Sequence, residues 1–218
     1  MDKDTVITKT REYVHLQLSG EGSGHDWWHI YRVVKLALHI AKKENADQFI
    51  VELAALLHDI GDFKFFDGDE TVAPRMVRQW VTDLSVPEDT VAHVCAIVRD
   101  ISFKGAGTIQ TRRMETLEGQ VVQDADRLDA IGAVGIARTF AYGGFKKREI
   151  YNPDIPAEWH ENFAAYKKST GPTINHFYEK LLLLKDLMNT ETAKKLAEER
   201  HRFMEQYLVQ FFKEWNFS

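Results

Sequence analysis

The chain has almost nothing from which a disulfide framework or a thiolate metal site could be built, because Cys95 is its one cysteine. No internal disulfide can form, a closed Cys-rich zinc site is excluded, and a reducing compartment is the natural expectation. No uninterrupted apolar run approaches the roughly 20 residues needed to cross a membrane, and no N-terminal stretch has the apolar core of a signal peptide. An excess of basic charge is also missing. With 28 Lys and Arg against 33 Asp and Glu, the formal net charge is -5. That balance gives no electrostatic case for general nucleic-acid binding, yet leaves room for a local basic pocket that takes an anionic substrate. Together these absences predict a cytoplasmic protein with no membrane association. Of only five prolines, Pro153, Pro156 and Pro172 mark the least regular segment, from Phe145 to Pro172.

What the chain does have is helical periodicity along nearly its whole length. Apolar spacing predicts helices over about 4–18, 26–43 and 47–59, the last running into His58 and Asp59 and stopping at Gly61. Further helices are predicted over about 74–84 and 88–101, the second opened by a capping box of Ser85 and Glu88 with Pro87 in its first turn. One long helix spans about 116–142, a weak one about 157–167, and two amphipathic helices about 173–188 and 190–215. Cys95 sits in an apolar run and reads as core. No repeat, low-complexity tract or linker divides the sequence. The expectation is an all-α, single-domain protein over residues 1–218, long enough for one substantial core.

Against this background the run Leu56-Leu57-His58-Asp59-Ile60-Gly61-Asp62 stands out. An imidazole and a carboxylate side by side in an apolar segment are costly to desolvate unless something compensates, and a metal ion compensates both. His29 lies on the buried face of its own predicted helix. Asp124, Asp126 and Asp129 place three carboxylates within six positions of another apolar helix and point around it, so not all can serve one ion. Two imidazoles with two carboxylates suit one divalent ion of borderline-to-hard character. Mn2+ or Mg2+ leads, with Fe2+, Co2+, Ni2+ or Zn2+ admitted by the same donors. Mixed nitrogen and oxygen ligation favours catalysis over a structural role.

The order His29, His58-Asp59, Asp126 resembles the H…HD…D signature of the HD superfamily of metal-dependent phosphohydrolases. His25-Asp26-Trp27-Trp28-His29-Ile30-Tyr31-Arg32-Val33, Leu57 to Lys64, Gln123 to Gly132 and Thr173 to Leu182 are all similar to one bacterial subgroup of it. The resemblance implies an HD-type helical bundle, with a metal-site core over about residues 22–135 and C-terminal helices over about 171–216 packing on it. It also implies the choice of Asp126 as the fourth ligand, through the Ala-Asp-Arg-Leu segment of related ppGpp-hydrolase domains, with Asp124 as the rival. In related HD nucleotidases an acidic residue at the position of Asp62 acts on the attacking water, so Asp62 takes the general acid/base role.

Several basic residues are candidates for the substrate. Lys64 suits neutralisation of phosphate charge, although a solvated loop lysine has the same sequence signature. Arg32, one turn after His29, either clamps a phosphate or pairs with a carboxylate such as Asp59 or Asp126. His25 contacts substrate or caps the following helix, and Lys104 is a phosphate contact from its loop. His176 and Lys180 share a helix face that could line the pocket. His93 alone lies between the HD dipeptide and Asp126, which points to one metal rather than two. The function expected is hydrolysis of a phosphoester or phosphoanhydride in a small phosphorylated substrate, foremost a nucleotide, with nucleoside triphosphate pyrophosphohydrolysis in view. The alternative is a non-catalytic protein that senses or binds a nucleotide with metal.

Overall fold

A computed structural model of the chain describes residues 1–19, 26–60, 72–101, 114–158 and 171–217. Among the described residues the fold is all-α, as the periodicity predicts, and contains no strand. No helix among them is long and apolar enough to cross a membrane. The chain divides into two compact units, Met1–Ser102 with Arg112–Ala125, and Phe103–Thr111 with Asp126–Ser218.

The first unit is organised around α3 (Gln48–Leu57), against which α1 (Lys3–Leu18), α2 (Trp27–Glu44) and α5 (Glu88–Asp100) all pack. The reason lies in its sequence. Val51, Leu53, Ala54, Ala55, Leu56 and Leu57 are buried, so α3 is apolar all round and can only sit at a centre. Asp47 fixes its start by accepting from the amides of Phe49 and Ile50 at 2.8 and 3.2 Å. Helix α2 opens the same way, with Asp26 accepting from the His29 amide at 2.9 Å. Helix α4 (Val72–Asp83) packs on α5. Helix α6 (Leu117–Asp129) is tied to α3 through Glu118, which accepts from the Asp47 amide at 3.0 Å.

The second unit holds α7 (Gly132–Phe145), the short α8 (Asn175–Glu179), a 3₁₀ segment (Leu181–Leu187) and α9 (Glu191–Asn216). Helix α9 packs on α7 and on the 3₁₀ segment. Phe177 is fully buried and stacks with Tyr207, with Phe140 near both rings. Gly143 permits a close approach, since a Cβ there would lie 2.2 Å from Thr173 Oγ1.

Among the described residues the structure departs from the sequence pattern at four element ends and at Cys95. Helix α3 stops at Leu57, and His58 to Ile60 form a turn closed by Ile60 N–H to Leu57 O at 3.1 Å, so the HD pair sits just past the helix. The long helix expected over 116–142 is broken at Ala130 and Ile131, where Gly132 adopts φ +76° and lets the chain turn into α7. The helix expected over 173–188 gives way at Lys180, which leaves helical dihedrals, to a 3₁₀ segment that buries Leu181 and Leu184. Ser85 lies at φ +57° and does not cap α5, whose N-cap is Pro87 without a side-chain bond. Cys95 is half-buried rather than core, and burial raises its thiol pKa. The helix expected near 157–167 lies mostly outside the described residues.

Gly132 gives the fold its clearest test. Alanine there takes on the left-handed strain of about 1–2 kcal/mol and places its Cβ 2.9 Å from Arg200 Cγ. Gly132→Ala is therefore expected to lower stability by at least about 1 kcal/mol, seen as a lower urea midpoint at unchanged slope.

Candidate metal centre

His29 enters the site from the first turn of α2 and is 1% exposed. Its position follows from the Asp26 cap, which starts the helix so that His29 shares a face with Ile30, Val33, Val34 and Ala37. His58 arrives at the C-terminal end of α3, 6% exposed, and Asp59 follows on the turn. Because α2 packs on α3, the two rings meet, with His29 Nε2 and His58 Nε2 3.2 Å apart.

The tautomer of His58 is decided by its neighbour. Its Nδ1 lies 2.8 Å from the Ala55 carbonyl oxygen. A carbonyl can only accept, so Nδ1 carries the hydrogen and Nε2 presents a lone pair toward His29. Asp59 adds negative charge at the same point, with one carboxylate oxygen 3.4 Å from His29 Nε2 and the other 3.7 Å from His58 Nε2.

The boundary between the two compact units falls inside α6, after Ala125, so Asp126 continues the same unbroken helix. One donor atom each from His29, His58 and Asp126 lie within 4.8 Å of one another, a group that could hold a metal ion. The donors fit such an ion. With bonds of about 2.0–2.1 Å, imidazole nitrogens at adjacent coordination positions stand about 3.0–3.4 Å apart, and the observed separation is 3.2 Å. Among the described residues Asp126, not Asp124, joins this group. Asp126 is half-buried, whereas Asp124 is fully buried on α6.

Of the other residues predicted from sequence, Arg32 is half-buried on α2, one turn beyond His29. His25, Asp62, Lys64 and Lys104 lie outside the described residues. His93 is engaged elsewhere, with Nε2 2.9 Å from Thr116 Oγ1 and 3.8 Å from Glu118. His176 is half-buried on α8, and its pKa is pushed down to about 3, mainly by burial and further by Lys180 and Arg148. Sequence reasoning missed the Ala55 carbonyl, since a backbone acceptor leaves no mark in residue type. Asp129, one of the three carboxylates that cannot all serve one ion, forms an ion pair with Arg138 at 2.9 Å.

The HD-domain family profile matches residues 27–131. An HD-superfamily hydrolase from Bacillus thuringiensis is 46% identical, with 99% of each chain covered and a TM-score of 0.77. The chain belongs to the HD superfamily of hydrolases. This HD hydrolase is also similar to a Lactobacillus plantarum protein of solved structure, at 38% identity over all of both chains and a TM-score of 0.85. Bacillus subtilis YpgQ, solved in complex with ADP, is 41% identical over 95% of this chain and 97% of that one, with a TM-score of 0.74. The HD match begins at Trp27, the first residue of α2, and ends at Ile131, so it contains His29, His58, Asp59 and Asp126.

His176 makes the acid side of the stability profile testable. Its folded pKa of about 3 lies below the ordinary 6.5. Between these values the unfolded chain binds a proton that the folded chain does not. Stability therefore falls as pH drops from about 6.5 toward about 3, by up to about 1.4 kcal/mol per pH unit from this group. Urea unfolding at several pH values across this window should show a shallower fall for His176→Gln than for the unaltered chain.

Proposed function

We propose that this HD hydrolase is a metal-dependent phosphohydrolase acting on a nucleotide, with His29, His58, Asp59 and Asp126 holding one divalent ion, Mn2+ or Mg2+ foremost. The observation that carries this reading is that His29 Nε2 and His58 Nε2 lie 3.2 Å apart beside the Asp59 carboxylate, with a carboxylate oxygen of Asp126 in the same group. When bound, such an ion polarises a phosphoryl oxygen and lowers the pKa of water near neutrality. Nucleotide as the substrate class is supported by the ADP complex of the similar YpgQ.

The protein's own groups divide the remaining work. Asp62 receives a proton from the attacking water as its oxygen bonds to phosphorus and the bond to the leaving group breaks. Arg32, Lys64 and Lys104 take up phosphate charge, Arg32 with a planar guanidinium suited to two oxygens at once. His25 contacts the substrate next to α2.

Metal-reconstituted protein screened against nucleoside mono-, di- and triphosphates and cyclic dinucleotides, with phosphate and pyrophosphate scored separately, tests the reading. Turnover of at least one nucleotide class is expected, with pyrophosphate release marking triphosphate pyrophosphohydrolysis. Asp62→Asn should keep the metal and lose turnover by about 10²–10⁴-fold, whereas His58→Ala should lose the metal. Nucleotide binding with intact metal and no turnover across the panel would establish the sensing alternative instead.

A further inference from the structure

The last turn of α6 carries Asp126, and of the three arginines around that turn two address the backbone or the charge at its end while the third ties the turn to the 3₁₀ segment. Arg200, from α9, donates to the Leu128 carbonyl oxygen. Arg138, from α7, bonds Asp129 at two points, its carboxylate at 2.9 Å and its carbonyl oxygen at 3.3 Å. Arg127, on α6 itself, donates to the Leu187 carbonyl oxygen in the 3₁₀ segment. Carbonyls in the last turn of a helix lack amides from a further turn, and guanidinium donors reach those of Leu128 and Asp129, at Leu128 in addition to the Ile131 amide. Cationic groups there also oppose the negative end of the helix dipole.

The surroundings are shaped for Arg200 in particular. Gly132 sits at φ +76° directly beneath its stem, and a Cβ at that position would meet Arg200 Cγ at 2.9 Å and Cβ at 3.1 Å. Burial lowers the guanidinium pKa while the Asp129 carboxylate raises it, so desolvation of Arg200 is offset by a charge on the same helix end. Asp129 is 3% exposed. The chain turns immediately after it, through Ala130 N–H to Arg127 O at 3.1 Å and Ile131 N–H to Leu128 O at 3.2 Å. A helix end held this firmly cannot rotate by even a fraction of a turn without breaking several bonds.

We propose that Arg200, seated over Gly132 and seconded by Arg138, is a positioning residue that fixes the last turn of α6 and thereby aims the Asp126 carboxylate at the metal. The inference rests on the reading of Asp126 as a ligand given above. Ligand placement within about half an ångström depends on such supporting groups, and their loss weakens metal binding by about 10–100-fold. Arg200 touches neither the substrate nor the ion in this account; it acts only through the Leu128 backbone.

Titration of the full chain with Mn2+ alone, following free Mn2+ by electron paramagnetic resonance, tests the proposal without relying on turnover. Arg200→Met is expected to weaken Mn2+ binding about 10-fold or more and Arg200→Lys to restore most of it, while Arg138→Gln weakens it through the Asp129 contact. In an Asp126→Asn background, where the aimed carboxylate has lost its charge, Arg200→Met should add little further loss, a coupling that general destabilisation would not produce. Unchanged affinity in both Arg200→Met and Arg138→Gln, or full additivity with Asp126→Asn, overturns the proposal while leaving Asp126 a ligand. Wild-type affinity in Asp126→Asn alone overturns the ligand reading itself. If Arg200→Met does not fold, Arg138→Gln and its cycle with Asp126→Asn carry the same decision.

Discussion

Two imidazole nitrogens 3.2 Å apart, in a space almost closed to water, set the condition that the surrounding elements meet. The Ala55 carbonyl commits the Nδ1 hydrogen of His58, so a lone pair faces the second ring and a carboxylate stands beside both. Buried donors concentrated in this way are costly without a cation, and the cost falls away when one cation accepts them together. The apolar circumference of α3 serves that arrangement. By burying Leu53, Leu56 and Leu57 on different sides, the helix is held at the centre of its unit and its C-terminus is delivered to a fixed place.

The candidate site is assembled from helix ends rather than helix middles. His29 lies in the first turn of α2, His58 and Asp59 just past the end of α3, and Asp126 in the last turn of α6. The negative ends of α3 and α6 favour a cation nearby and disfavour a bare carboxylate, whereas a protonated ring on His29 would face the positive end of α2. Dipoles and side-chain charges thus press toward the same occupant, a positive ion. Helix ends also move easily, because their last carbonyls lack partners within the helix. The guanidinium groups of Arg200 and Arg138 at the end of α6, and the Asp26 and Asp47 caps at the starts of α2 and α3, restrain that freedom.

Much of this was legible in residue order. The all-α class followed from apolar spacing. The group formed by His29, His58 and Asp126 followed from placing polar residues on apolar faces, together with the family resemblance. The breaks at Ala130–Ile131 and at Lys180 were not legible, because the apolar helical pattern continues through them. Burial of Leu181 and Leu184, and the positive φ of Gly132 beneath Arg200, override local propensity there. The Arg200 contact joins residues 72 positions apart and ends on a backbone oxygen, so no residue type announces it.

By itself the sequence determined which faces are apolar and which His and Asp residues interrupt them, since hydrophobic periodicity and the cost of burying His and Asp are properties of residues in order. The superfamily came instead from the resemblance of His29, His58-Asp59 and Asp126 to the H…HD…D signature. Tertiary structure alone decided the bond between His58 Nδ1 and the Ala55 carbonyl oxygen and the points at which helices stop. Each of those depends on a distance to an atom remote in sequence or on the backbone, where a carbonyl in the right place selects a proton position, a rotation or a turn.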